Sequence, residues 1–434
     1  MARLTTLEAD GGPAADAELT DADGELIATG QLVPRRIAML THSYYEEDPR
    51  VRREAETLVG AGHDVAVFAL RRPTDPARQT IGGVDVRRLG VQRHQGASLR
   101  VYLREYLSFF ARSGAALLRS HARRRYDLVQ VHTLPDFLVF ATLPLRLTGV
   151  PVILDLHEAM PEFFGSRFRG RSRRIGRRLL SIQERLACRF ATAVVTVNDA
   201  LGDRLLGIGV PPAKLSIVPN APALARFTAT AHPSRPFMAD GSLRLVYAGA
   251  LSPIYELDVV LAAVARLRED DPGLDVRLEL YGRDFDEVPL RDQAARLGIA
   301  DRVAFHGRIP VDEVPAAIAA ADIGLAPTRR SAFTDYSLST KAFEYAAMAR
   351  PVVASRLPLV LRTFGDDVVT YEPGDADDLA TAIRRIVDDL ADREARVARA
   401  LERVRGRSWE VEATRYLALV DRLAAARDAG SDVD

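Results

Sequence analysis

Short apolar runs alternate with stretches of helical spacing along most of the chain. Arg36 to Leu40 reads as a buried strand. Asp48-Pro49 is a helix-start pair, and Val51 to Ala61 has helical spacing. Gly62-His63 ends that helix, and Asp64 to Leu70 is the next strand. Together they make a strand–helix–strand unit of the doubly wound type. Leu128 to His132, Val150 to Asp155, Ala193 to Val197 and Leu215 to Val218 read as further strands, with Asp136 to Leu147 as a helix. Pro219 to Ser242 is rich in Pro, Ala and Ser and has little periodicity, as a linker would. A second series follows. Its strands are read at Leu245–Gly249, Val276–Tyr281, Val303–Phe305, Ile323–Ala326 and Val368–Thr370, with a further strand starting after Pro351. Its helices are read at Glu256–Leu267, Leu290–Leu297, Val311–Ala321 and Ala376–Leu390, and Trp409 to Ala426 reads as a long amphipathic helix.

The pattern predicts an α/β chain with two tandem Rossmann-like, doubly wound domains facing a cleft. The expected divisions are an acidic disordered tail at 1–34, a first domain at 35–220, a linker at 221–242, a second domain at 243–406 and a closing helix at 407–428. Ligands in such sheets bind beyond the carboxyl ends of the strands, and two facing sheets make an interdomain cleft.

Composition narrows the class. The 434 residues are 47% apolar and 27% charged, a globular balance. The single cysteine, Cys188, excludes an intrachain disulfide and a cysteine metal site. No apolar run of about 18 residues is found, and the N-terminus lacks signal-peptide order, so a cytoplasmic protein is expected. The net charge of +0 hides an asymmetry: Arg35 to Arg226 is strongly basic, and the chain from Phe227 onward is acidic. Two segments concentrate the basic charge. Leu99 to Arg125 interleaves arginines with Tyr102, Tyr106, Phe109 and Phe110, and Arg167 to Arg189 carries nine arginines. Such segments can lie on an anionic membrane surface. A solvated face competes with that reading. No motif supports nucleic acid as a partner.

The densest candidate chemistry runs from Asp335 to Ser355. Ser337, Leu338, Ser339 and Thr340 lead into a helix, and Lys341 and Glu344 share a face near its start. Free N–H donors there suit an anion. Lys214 and Lys341 are the only lysines among 59 basic residues, which singles out Lys341 as a place for a compact ammonium. A solvated Lys–Glu surface pair is the competing explanation. Gly249-Ala250, between a strand and a helix, is a candidate phosphate loop. Gly282-Arg283 and Gly307-Arg308-Ile309 end two more strands and could line a nucleotide base. In the first domain, Asp155-Leu156-His157-Glu158 ends a strand. His157 is a candidate proton donor or acceptor, and His132 is a second one. His42 lies in the first loop. No close His/Asp/Glu cluster at metal-ligand spacing is found, so no protein-held metal is expected.

These stretches together resemble a retaining glycosyltransferase of family 4, with the two-domain fold called GT-B. The resemblance rests on Asp48 to Ala55 leading to Gly62-His63-Asp64-Val65, on Asp155 to Glu158, on Ile217-Val218-Pro219-Asn220, and on Ser337 to Ala354. It spans about Arg35 to Ala426. It implies that Glu344 holds the donor ribose, as the second glutamate of a paired motif whose first position is Tyr336 here. Ser337 to Lys341 is similar to a Ser-Leu-Pro-x-Lys segment in which Lys341 would face the diphosphate. The family's usual Arg and Lys in the second domain's first loop are replaced by Ala250 and Tyr255. Lys341, with Arg329 or Arg330 as helpers, is therefore expected to neutralise the leaving group without a metal. His157 would contact the reacting sugar or acceptor, with His42, His132, Asp155 and Glu158 on the acceptor side. The closing helix would cross back to the first domain.

Three functions follow from this resemblance. The leading one is sugar transfer from a nucleotide-sugar donor to a lipid-linked, polysaccharide or small-molecule acceptor. A nucleotide-sugar 2-epimerase uses the same fold and would need no acceptor. A non-catalytic nucleotide-binding subunit is the third, prompted by the missing Arg/Lys pair.

Overall fold

The structure is a computed structural model that describes residues 33–93, 99–167, 171–282 and 287–431. Nearly all of the expected tail, and Arg283, lie outside those residues.

The first sheet has eight strands: β1 (Arg36–Leu40), β2 (Asp64–Leu70), β3 (Arg78–Ile81), β4 (Val84–Leu89), β5 (Leu128–His132), β6 (Val152–Leu156), β7 (Ala193–Thr196) and β8 (Leu215–Ile217). Their order is β3-β4-β2-β1-β5-β6-β7-β8, and all pairs are parallel except the β3–β4 hairpin. The second sheet is wholly parallel, in the order β11-β10-β9-β12-β13-β14. Its strands are β9 (Ser242–Ala248), β10 (Asp275–Tyr281), β11 (Val303–Gly307), β12 (Ile323–Ala326), β13 (Val352–Ser355) and β14 (Val369–Tyr371). β1, β2 and β5 to β7 are almost wholly buried, as continuous apolar strands covered on both faces should be.

Two expected helices are interrupted. Asp136–Thr142 is a 3-10 helix, and an α-helix restarts only at Leu143–Arg146. Pro144 explains the break: it lacks an N–H and is tolerated only in a first turn. Likewise Val311–Glu313 is 3-10 and Val314–Ala319 is α-helical, with Pro315 in the first turn.

The last helix, Trp409–Ser431, completes the first domain's core. Trp409, Tyr416, Leu419 and Val420 pack among Ile37, Met39, Val65 and Val67 of the sheet and Val51, Ala55 and Leu58 of the first helix, Pro49–Gly60. The Trp409 N–H donates to the Pro222 carbonyl (2.9 Å), and its Nε1–H to Thr57 Oγ1 (2.8 Å). Residues far apart in sequence are thereby fastened at the seam between the two sheets.

Candidate functional site

The loops after β9, β10, β11 and β6 open into one cleft of about 1230 Å³, lined from both domains. Its second-domain wall depends on close backbone approach. The Gly249 N–H donates to the Tyr281 carbonyl and the Gly282 N–H to the Gly307 carbonyl, both at 2.8 Å. A Cβ at Gly282 would overlap the Gly249 carbonyl oxygen. One at Gly249 would collide with the Lys341 side chain, which runs directly beneath it. Ala250, Ile309 and Arg308 also line the cleft, and Arg308 reaches Glu47 of the first domain (2.5 Å).

Lys341 and Glu344 sit on the helix Thr340–Ala347, one residue past Ser339, whose hydroxyl makes no capping bond. They diverge instead of meeting at one spot. Glu344 lines the main cleft. Lys341 enters an adjoining pocket of about 210 Å³ with Ser337, Leu338, Ser339, Glu158 and Phe333, and Thr340 borders both spaces. The buried Lys341 Nζ lies 3.9 Å from the Tyr255 ring centre and 5.1 Å from that of Tyr247. Among the described residues no carboxylate comes within ion-pair distance of it. Aromatic faces therefore hold the ammonium in place, and its charge stays free for a ligand. Burial raises the Glu344 carboxyl above its usual range, against the pull of Lys341, Arg53 and Arg226.

The expected helper cations are engaged elsewhere. Arg329 makes a two-pronged pair with Asp258 (2.8 and 2.9 Å), and Arg330 lies 3.5 Å from Asp335. Tyr255, where the resemblance implied a lysine, packs its ring against the Lys341 ammonium. Glu256, at φ 26°, is turned inward and accepts from Tyr371 (2.8 Å) and Ser355 (3.2 Å).

The first-domain wall is built on Asp155. Strand register sets His132 beside it, and His132 Nδ1 is 2.9 Å from Asp155 Oδ2. His157 Nδ1 is 3.8 Å away. Arg50 grips both carboxylate oxygens (2.7 and 2.8 Å) and also donates to the Val218 carbonyl (3.0 Å) and Asn220 Oδ1 (2.9 Å). Burial pushes the Asp155 pKa up, but Arg50 and the two histidines outweigh it and hold the carboxyl well below its usual range. Burial lowers His157, but the nearby Asp155 carboxylate prevails and raises it. His132, Asp155 and His157 thus form a cluster that their spacing in sequence hides. The expectation of no such cluster is corrected. Arg50 already supplies the counter-charge that a metal would bring.

Family models now decide the class. The glycosyl transferase 4-like domain matches residues 48–221, and glycosyl transferases group 1 matches residues 242–389. The chain belongs to the GT-B glycosyltransferases. Family 4 is consistent with both matches. The D-inositol 3-phosphate glycosyltransferase of Geodermatophilus obscurus is 28% identical, over 92% of this chain and 90% of its own. Two solved structures share the fold. Sucrose-phosphate synthase from Thermosynechococcus elongatus has a TM-score of 0.73 at 20% identity, covering 90% of this chain and 100% of that one. Anabaena Alr3699/HepE in complex with UDP and glucose has a TM-score of 0.67 at 16% identity, covering 89% and 100%. The protein is thus a transferase using a nucleotide-sugar donor, and these family matches and relatives favour that reading over an epimerase or a non-catalytic subunit.

Within this glycosyltransferase the expected acceptor-side residues separate. His157 lines the main cleft and Glu158 the smaller pocket. His132 and Asp155 have no exposed surface and act behind His157. His42 lines neither space. It lies 3.0 Å from the buried Glu105 and packs edge-on against Tyr106 and Phe109, so it is a core histidine. Arg50, Arg53, Glu54 and Trp409 were not singled out from the sequence. Arg50 and Glu54 carried a signal, because both occupy the apolar stripe of Val51, Ala55 and Leu58, where a charge requires a partner.

Proposed function

We propose that the glycosyltransferase uses a uridine diphosphate sugar and transfers the sugar with retention of anomeric configuration, without a protein-held metal. The observation that carries this reading is Lys341, an ammonium framed by Tyr247 and Tyr255 beneath the Gly249 turn, with no carboxylate of the described residues within ion-pair distance. When the C1–O bond of the donor breaks, the electron pair leaves on the diphosphate. Lys341 and the uncapped N–H groups of the Thr340–Ala347 helix stabilise that charge. Glu344 accepts hydrogen bonds from the ribose hydroxyls. The acceptor oxygen attacks the face the diphosphate leaves, and its proton passes to the departing phosphate oxygen. His157, its pKa raised by the adjacent Asp155, donates to a hydroxyl of the reacting sugar or acceptor. HepE, solved with UDP and glucose, supports uridine as the base.

Nucleotide release across UDP-, GDP- and dTDP-sugars tests the donor, and the C1 proton coupling of the product tests retention. Lys341→Ala is expected to lower kcat at least a hundredfold, and Glu344→Ala to raise donor KM at least tenfold, with folding kept. Unchanged turnover in both variants would reject the site.

The acceptor side is proposed to work at an anionic membrane surface. No described helix is long and apolar enough to span a bilayer. The helices Leu99–Arg123 and Arg171–Phe190 both pack on the Asp136–Thr142 turn. They expose Leu103, Leu107, Ile175, Leu179, Ile182 and Leu186 among arginines, and their only carboxylates, Glu105 and Glu184, are buried and paired inward. The outer face therefore offers lipid apolar groups and positive charge with no opposing acid. Co-sedimentation with anionic but not neutral vesicles, lost in Leu179→Glu, is expected. Vesicle binding that ignores lipid charge, or a dimer that Leu179→Glu dissociates, would reject it.

A further inference from the structure

Four arginines of the described residues line the cleft: Arg50, Arg53, Arg226 and Arg308. Three have carboxylate partners. Arg50 holds Asp155 and Glu54, Arg226 is 3.2 Å from Asp312, and Arg308 reaches Glu47. Arg53 has none within ion-pair distance among the described residues. Its Nη2–H donates to Asn220 Oδ1 at 3.2 Å, its guanidinium lies 4.6 Å over the Trp409 ring, and its Nε–H is shielded from solvent with no protein acceptor. Burial, and then the nearby charge of Arg50, pull its pKa down to about 10, so it remains charged at neutral pH.

A cation left in this state is costly. Desolvation weakens it and Arg50 repels it; Glu54, Glu344 and Asp48 attract it only from beyond ion-pair distance, and its direct contacts are a neutral hydrogen bond to Asn220 and the Trp409 ring face. Its position gives the cost a use. Asn220 ends the first domain and Trp409 starts the closing helix, so the guanidinium stands on the cleft wall where those two segments meet. The second domain, meanwhile, has Ala250 and Tyr255 in its first loop, and Lys341, on the helix Thr340–Ala347, packs its ammonium against the Tyr255 ring.

We infer that Arg53 is an anion-receiving group of the cleft, whose free N–H donors take a phosphate oxygen of the bound substrates. A planar guanidinium suits that geometry, with two donors facing two oxygens. The phosphate comes either from the donor diphosphate or from a phosphate-bearing acceptor. Only that choice of source rests on the transferase reading.

The test uses the full chain with pyrophosphate, UDP, uridine and inorganic phosphate as probes, read by thermal shift and calorimetry. Arg53→Gln is expected to melt no lower than the parent without ligand, because it removes a half-buried charge with no ion-pair partner. A purely structural arginine would instead lower the melting temperature. The same variant is expected to lose the pyrophosphate shift. If the donor supplies the phosphate, UDP affinity falls at least tenfold toward that of uridine. If the acceptor supplies it, UDP affinity is kept and the shift with inorganic phosphate disappears. Arg53→Lys retains charge without the planar fork and is expected to fold and bind with intermediate affinity, which covers a failure of the glutamine variant to fold. Parent-like binding of pyrophosphate, phosphate and UDP by either variant overturns the inference. Binding needs no turnover, so a chain that holds pyrophosphate through Arg53 but releases no nucleotide from any donor rejects the transfer reading and leaves this one standing.

Discussion

Tyr255 shows how a single residue can change the meaning of a missing motif. The absence of the family's Arg and Lys from the second domain's first loop pointed to a weakened or inactive site. In the structure Tyr255 takes part in the same task by holding Lys341 with its ring. Cation–π attraction in a desolvated setting is worth roughly 1–2 kcal/mol. Tyr255→Phe keeps the ring and is expected to turn over near the parent rate. Tyr255→Leu releases the ammonium and is expected to lower kcat/KM for the donor by about tenfold, which corresponds to about 1.4 kcal/mol. Equal losses in both variants would place the effect in the hydroxyl. His157 gives a pH prediction at the same scale. Its folded pKa is raised, so its pairing with Asp155 stabilises the fold fully below the ordinary histidine value of about 6.5 and is lost as pH rises through the higher folded value. The melting-temperature gap between parent and His157→Gln is therefore expected to narrow as pH is raised above 6.5.

Secondary-structure elements were legible where one pattern dominated. The central parallel strands, such as β1, β2, β5 and β13, are short, apolar and buried on both faces, so their runs stand out in the sequence. The β3–β4 hairpin did not, because β3 (Arg78-Gln79-Thr80-Ile81) is an exposed edge with no apolar alternation. Its turn was readable all the same: Gly82-Gly83 adopt φ 56° and 79°, as a tight hairpin requires. The Thr340–Ala347 helix was legible, with Lys341 and Glu344 on one face. Their divergence was not, because it depends on a glycine far away in sequence that leaves room for the lysine stem. Gly282 carries the corresponding element-scale prediction. Gly282→Ala forces a Cβ into the Gly249 carbonyl and is expected to cost about 1–3 kcal/mol in urea unfolding, or to prevent folding. A variant as stable as the parent would mean that the β9 and β10 loops separate freely.

Across the whole molecule, one buried polar chain joins the closing helix to the cleft. The Tyr416 hydroxyl donates to Gln130 Oε1 (2.5 Å), Gln130 Nε2 donates to Glu54 Oε2 (2.7 Å), Glu54 pairs with Arg50 (3.1 Å), and Arg50 holds Asp155 beside His157. Its two ends lie in segments that no local pattern connects, so only the fold reveals it. Tyr416 does not itself line the cleft, yet the chain gives it a route to the orientation of His157. Tyr416→Phe leaves the buried Gln130 carbonyl without a donor and is expected to lower stability by about 1–3 kcal/mol. That loss alone would fit a purely structural hydroxyl. The deciding measurement is a double-mutant cycle on kcat with His157→Ala. If the chain positions the imidazole, removing Tyr416 costs turnover only while His157 is present, and the coupling reaches at least about 0.5 kcal/mol. Additive losses in kcat would confine Tyr416 to the core and leave His157 oriented by Asp155 and Arg50 alone.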